Sequence, residues 1–561
     1  MKLKAIFLLI CLVLLAGVLR FYKLGEIPNG LYQDETAIGW NAYSILKTGK
    51  DEYGTSYPIY FKSFGDYKLP TYIYSTIFPI WLFGLTPFAV RFPSAFFGTL
   101  VIPVFFFLVR KLTKNEQLAL LSTFLLTINP WHVHYSRATF EVSIVLFLFT
   151  IGTLLFIHAL EKKTGAFLGS VLAFILAIYT YNVTRLLSPL ILLGLILLYR
   201  KNFKNINMTE KIGTLMFGLL MLLPFIATYL QKGGISSASG TLIFSSAAVH
   251  APLLEFRSYF VHLPLVNKIV LNSLTLVFWQ YLTNVINYFS IPFFFVMGSS
   301  HGNHGIGTDG LFFLFELPFI ILGFYAFIKE RQENIRALLL IAITTILVAS
   351  LTRESPHATR SYSLLMFIPV ISAGGILHFL HFLRKKSFHI QAIFSIAFLV
   401  LFTFSVAHYF LSYYVRFPIA YAKQWREEDK NVTQYIRNNW NTYDHIIIDS
   451  DAGFIYSSIL FYLPFSPQEF QETNSRLPDD DEGMSDVRSF GKITYKKVDV
   501  IADSQIPNTL LITGPEKVPN SIRISKTFKY PTRPIVIALK QKIIQYPIQE
   551  VAYVAISSEN Q

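Results

Sequence analysis

The chain has 561 residues, of which 53% are hydrophobic and 15% charged, where an average soluble protein carries roughly 25% charge. That balance, with a mean hydropathy of +0.46, puts the chain as a whole well outside the class of soluble globular proteins. The single cysteine, Cys11, excludes a disulfide framework, a cysteine zinc site and an iron–sulfur cluster.

Taken in chain order, the first apolar run, about residues 6–19, follows Lys2 and Lys4 and reads as an uncleaved first helix. Basic clusters then recur: Arg110, Lys111 and Lys114; Lys162 and Lys163; Arg200, Lys201 and Lys204; Lys329, Arg331 and Arg336; Arg384, Lys385 and Lys386. The formal net charge of +14 is thus spread between apolar segments, which makes it a topological signal and leaves nucleic acid out as a partner. If every cluster is cytoplasmic, each interval between clusters crosses the membrane an even number of times. Apolar segments at about 92–109, 117–131, 140–160, 166–182, 186–199, 211–230, 311–328, 337–352, 362–382 and 389–411 satisfy this, and the first helix brings the expected count to about eleven spans. Residues 71–85 and parts of 252–297 read as interfacial or re-entrant helices. The expected layout is a membrane domain over 1–414, with external loops 22–91 and 231–310. A soluble α/β domain is expected over 415–561, where short β-like stretches (445–448, 509–513, 534–539) and the acidic run 479–482 appear. An odd number of spans puts that tail on the side opposite the N-terminus.

This topology collects the chain's costly polar residues on one external face. They include Asp34, Glu35, Asp66, Lys68, Arg91, His132, His134, Arg137, Arg185, His301, His304, Asp309, Arg353, His357 and Arg360, with Glu141 one turn from Arg137. Ionisable groups at membrane depth need a partner or a purpose, so such a collection marks a site. Carboxylates beside several cations suit a phosphate-bearing ligand: Arg and Lys neutralise phosphate oxygens while a carboxylate serves as base.

The local motifs are Gly30-Leu31-Tyr32-Gln33-Asp34-Glu35, then Gly65-Asp66-Tyr67-Lys68-Leu69-Pro70, then Val90-Arg91-Phe92-Pro93-Ser94-Ala95. Together they resemble the GT-C membrane glycosyltransferases that include protein O-mannosyltransferases and the lipid A aminoarabinose transferase. That family has an acidic pair opening its first external loop, followed by Lys-Pro-Pro-like and Arg-Leu-Pro-Ser-Ala-like elements. His134-Tyr135-Ser136-Arg137-Ala138 with Glu141, Gly307-Thr308-Asp309-Gly310 with Glu316-Leu317-Pro318, and Pro356-His357-Ala358-Thr359-Arg360 resemble its later loops. The resemblance covers about residues 1–415.

It implies transfer of a sugar from a polyprenyl-phosphate donor to an envelope acceptor (protein, lipid or glycan) at the external face of the plasma membrane, with inversion. The phosphate leaving group is already a stable anion, so positioning and charge neutralisation carry the rate. By the resemblance Asp34 is the catalytic base, and Glu35 orients it or binds a metal. On the residues alone, Asp34 equally caps a helix beginning at Glu35. Lys68, Arg91, Arg137, Glu141 and Arg360 are the substrate-binding candidates; interfacial snorkelling is the plainer reading of Lys68 and Arg91, and an i, i+4 ion pair that of Arg137 and Glu141. No cofactor is called for by the residues, though relatives hold a divalent ion, for which His301 and His304 are the candidate ligands. A transporter of lipid-linked sugars is the rival, and the absence of two repeated halves argues against it.

Overall fold

The computed structural model describes residues 3–63, 66–161, 165–231, 241–299, 301–329, 335–453, 455–478, 485–539 and 542–558. Lys162, Lys163, Arg331 and the acidic run 479–482 lie outside the described residues. A helix occurs at each of the eleven expected places. Among the described residues six are long and apolar enough to cross a membrane: Leu3–Phe21 (α1), Pro87–Thr113 (α4), Val142–Ala159 (α7) and the stretches Met208–Ala227, Tyr362–Leu383 and Phe388–Ala420. The remaining five are shorter: Glu116–Ile128 (α5), Ala166–Ile178 (α8), Thr184–Leu198 (α9), Glu316–Lys329 and Arg336–Ala349. At 1.5 Å per residue a 15-residue helix reaches about 22 Å, short of a hydrocarbon core of roughly 30 Å.

The helical period explains which sides face lipid. In α1, Leu3, Phe7, Ile10, Leu14 and Val18 form an exposed apolar stripe, while Ala5, Leu9, Ala16 and Arg20 are buried. In α9 the exposed set is Leu186, Leu190, Leu193 and Leu197, and Leu187, Ile191 and Leu195 turn inward. The interfacial expectations land on short helices. Pro70–Phe83 (α3) exposes Phe78, Trp81, Leu82 and Phe83 at its end. Ser273–Asn287 exposes Leu274, Phe278, Trp279, Leu282 and Ile286, while its buried Asn284 donates to the carbonyls of Ser350 and Thr352.

Contacts divide the chain into two compact units. One contains residues 1–22 and 94–410 and is helical; the other joins 23–93 to 411–561. The division therefore differs from a break at 414/415, because the first loop groups with the tail. That second unit is built on a seven-stranded sheet in the order β4 (Ser475–Arg476), β5 (Val487–Phe490), β6 (Ile493–Lys496), β3 (His445–Asp449), β7 (Thr509–Thr513), β11 (Val551–Ser557), β8 (Lys526–Lys529), where β3 runs parallel to β6 and β7, and the other pairings are antiparallel. The apolar side of Gln33–Thr48 (α2) explains the grouping. Trp40 lies in one core with Ile446, Ile448, Ile459, Phe470 and Ile512 of the tail, and Thr36 Oγ1 meets Ser457 Oγ at 2.7 Å. Gln471 adds hydrogen bonds to Ser44 Oγ, Thr48 Oγ1 and the Asp51 carbonyl.

Candidate functional site

The acidic pair sits in the first turn of α2. The helix begins at Gln33 with Tyr32 as N-cap, and Tyr32 makes no side-chain capping bond. Asp34 is thus inside the helix and does not cap it. A carboxylate there is favoured by the free amides and positive pole of the helix end. One position apart on a helix, the two side chains leave in different directions and meet different surroundings.

Glu35 points inward and is fully buried. Its two oxygens accept from Arg91 Nε and Nη2 at 2.9 Å each, a bidentate pair at the start of α4. Arg91 also donates to the carbonyls of Leu24 (3.2 Å), Pro28 (2.8 Å) and Gly30 (2.6 Å), so all five of its N–H groups are engaged. The Trp425 ring lies 5.6 Å from its guanidinium carbon. Arg91 therefore ties the loop 24–30, helix α2 and helix α4 together, and it has no donor left to offer a phosphate.

Asp34 keeps 43% of its side chain exposed and accepts from Lys68 Nζ at 2.7 Å, while Lys68 is only 8% exposed. Lys68 reaches it from a two-stranded hairpin, β1 (Phe61–Ser63) with β2 (Asp66–Lys68), in which Lys68 stands opposite Phe61. Leu69 and Pro70 follow as N-cap and first residue of α3, and Tyr72 Oη of α3 donates to the Val90 carbonyl at 3.1 Å. The three motifs at 30–35, 65–70 and 90–95 thus converge around one carboxylate–ammonium pair. Gly65 and the Asp66 side chain lie outside the described residues.

The other candidates lie in the helical unit. Arg137 is buried and donates through Nη1 to the carbonyls of Leu19 (2.9 Å) and Arg20 (3.1 Å), closing the end of α1. Glu141 stands at the N-cap of α7 without a side-chain capping bond. Arg360 donates to Thr352 Oγ1 at 2.8 Å and the Glu354 carbonyl at 3.1 Å, and pairs with the Glu354 carboxylate at 3.5 Å.

His304 Nδ1 lies 3.1 Å from Tyr135 Oη and 3.2 Å from Thr359 Oγ1, with the His357 ring centroid 5.0 Å from its own and that of His301 at 5.9 Å. Burial, Arg360 and the neighbouring histidines hold His357 neutral, its pKa pulled down to about 2. Among the described residues no three His, Cys, Asp or Glu side chains are grouped to hold a metal ion. Among the described residues His301 and His304 are thus not joined by the further donor a divalent ion needs.

Sequence reasoning passed over a second buried acidic pair, Asp51 and Glu52, at the far end of α2. Glu52 accepts from Tyr456 Oη at 2.7 Å and Arg476 Nη2 at 3.3 Å, and Arg476 lies over the Tyr53 ring at 3.8 Å. The only trace in the sequence was the acidic dipeptide itself, since the side-chain partners of Glu52 come from 400 or more positions away.

Residues 69–228 match the family described as dolichyl-phosphate-mannose-protein mannosyltransferase. No curated protein matches the sequence. Among solved structures, ArnT from Cupriavidus metallidurans is similar in its apo state with a TM-score of 0.54 at 15% identity, over 99% of both chains. The same protein bound to undecaprenyl phosphate gives 0.52 at 14% identity, over 97% of both. The oligosaccharyltransferase AglB of Archaeoglobus fulgidus, in complex with an inhibitory peptide and a dolichol-phosphate, gives 0.50 at 15% identity. That match takes in 82% of this chain but only 64% of AglB. The match to the family model takes in residues 69–228, and the likeness to ArnT and AglB is one of fold.

Proposed function

We propose that this chain is a GT-C glycosyltransferase that moves a sugar from a polyprenyl-phosphate carrier to an acceptor at the external face of the plasma membrane, with Asp34 as base. The observation that carries the reading is the partly exposed Asp34 carboxylate at a helix start, paired with a nearly buried Lys68 and backed by the Glu35–Arg91 clamp. ArnT bound to undecaprenyl phosphate and AglB bound to dolichol-phosphate, both of this fold, support a lipid-phosphate donor.

In this reaction an oxygen of Asp34 takes the proton of the acceptor hydroxyl as that oxygen bonds to the anomeric carbon. The bond from the anomeric carbon to the phosphate oxygen breaks, and its electrons leave on the phosphate. Lys68 holds Asp34 in position and lends positive charge near the departing anion. Glu35 and Arg91 are positioning residues in this scheme, since their polar atoms are committed to each other and to carbonyls. Arg137 is likewise read as a positioning residue in the helical unit, through its bonds to the Leu19 and Arg20 carbonyls, and Glu141, at the start of α7, as a substrate contact. Arg360 is the proposed contact for carrier phosphate.

The test is sugar transfer by purified protein in lipid nanodiscs, wild type against Asp34→Asn, with a panel of radiolabelled polyprenyl-phosphate sugars and an envelope extract as acceptor. Loss of a general base lowers kcat by roughly 10²–10⁴-fold. Equal rates for the two proteins sink the role of Asp34; carrier movement across the bilayer without any sugar transfer would instead indicate a transporter.

A further inference from the structure

Within the second unit, a cavity of about 410 Å³ opens where the loop 23–30 meets the segment 414–431. Its size lies in the range of ordinary small-ligand pockets, roughly 300–1,000 Å³. In the chain, Lys23 comes just after α1, and Tyr414 lies in the last turns of the helical stretch Phe388–Ala420, so both edges of the cavity adjoin apolar helices. The Asp34 chemistry does not use it.

The lining has no net charge: Lys23 and Lys430 balance Glu26 and Glu427. Lys23 and Glu26 already form a 3.6 Å pair. An anionic ligand would meet the Glu427 carboxylate, and a cationic one the Lys430 ammonium, so neither charge is favoured. Glu427 is held in place by Asn29, whose Nδ2 donates to one carboxylate oxygen at 2.9 Å and to the Pro418 carbonyl at 3.0 Å. Its second oxygen accepts no hydrogen bond among the described residues. Asn431, one turn on, also lines the cavity, and its amide nitrogen donates to Glu428 at 3.0 Å. Tyr462 lines the cavity, its hydroxyl being buried. With Tyr414 it supplies aromatic surface.

A carboxylate oxygen, an amide, an ammonium and tyrosine rings around a charge-neutral cavity are the groups that read a ring of hydroxyls with apolar faces. We propose that this cavity is a carbohydrate-binding site, sized for one or two pyranose rings of a glycan lying at the membrane surface. The closing of the loop on the tail builds it: Gly30 approaches the 425–427 backbone so nearly that a Cβ would stand 2.2 Å from the Trp425 carbonyl oxygen.

The test is saturation-transfer NMR on the full chain in nanodiscs, without donor, using maltose, cellobiose and diacetylchitobiose as probes and glycerophosphoethanolamine as the headgroup control. Sugar ring protons should be saturated in wild type, and binding should weaken roughly tenfold in Glu427→Gln, the effect of removing a charge-assisted hydrogen bond. Lys430→Met, on an exposed helical position that folding does not need, should weaken it as well. Asp34→Asn should bind as wild type does, so the site stands or falls separately from the transfer reaction. Saturation of no sugar, equal saturation in wild type and both pocket variants, or saturation of the headgroup control alone would overturn the proposal.

Discussion

Asp34 and Glu35 are adjacent in the chain and opposite in circumstance. Glu35 is sealed against Arg91, and both lie where water cannot compensate either charge. Such a pair adds little net stability when intact, yet removing one partner strands the other. Arg91→Met is therefore expected to cost about 3–5 kcal/mol, and Arg91→Met with Glu35→Leu to recover much of it. Thermal unfolding in nanodiscs checks this; a single variant as stable as wild type would refute the clamp. Asp51 gives a second prediction at this scale. Burial outweighs its bonds from the amides of Thr55 and Tyr53 and lifts its pKa from 3.8 to about 6. Because the folded value lies above the unfolded one, its contribution favours folding while it is protonated and is lost as pH rises from about 4 to 6. Asp51→Asn keeps the accepting oxygen and removes the charge. The variant should gain about 2–3 kcal/mol over wild type at pH 7 and nothing below pH 4. Parallel pH–stability curves for the two proteins would contradict this.

At the scale of elements, the short pieces carry more of the site than the long helices do. The β1–β2 hairpin delivers Lys68 to Asp34, and the first turn of α4 delivers Arg91 to Glu35. What holds α2 against the tail is partly the absence of a side chain. At Gly39 an added Cβ would stand 2.6 Å from a Val90 methyl and 2.7 Å from the Phe461 ring, and at Gly30 it would strike backbone. Side chains can yield by a few tenths of an ångström, whereas the Trp425 carbonyl cannot. Gly30→Ala should thus lower stability by about 1–3 kcal/mol or more, and Gly39→Ala by less. The melting temperatures of the two variants rank them, and the reverse order would show that the 425–427 segment is the softer neighbour.

At the scale of the whole molecule, the loop 23–93 and the tail 411–561 form one unit although some 320 residues of helical chain separate them. Trp40 is the largest side chain the loop commits to the shared core. Trp40→Ala is expected to cost about 3–5 kcal/mol, and hydrogen exchange should quicken in β3 and β7 of the tail as well as in α2. Exchange that rises in α2 alone would mean that the tail folds without the loop.

Much of this was legible in the sequence because its causes are local. Lipid-facing helices must be apolar over a fixed length and basic at their cytoplasmic ends, so the eleven helix positions follow from runs such as 142–159 and from clusters such as Arg110-Lys111. The three motifs around Asp34, Lys68 and Arg91 are likewise visible as order and spacing. Tertiary structure decided what each residue touches. Periodicity cannot say that the apolar side of α2 is buried by Ile446 and Phe470 in place of lipid, because the partner surface lies 400 residues downstream. Nor can it separate two neighbouring carboxylates. Their difference arises only when Arg91 arrives at one and Lys68 at the other, and burial turns the first into a clamp while the second stays partly exposed.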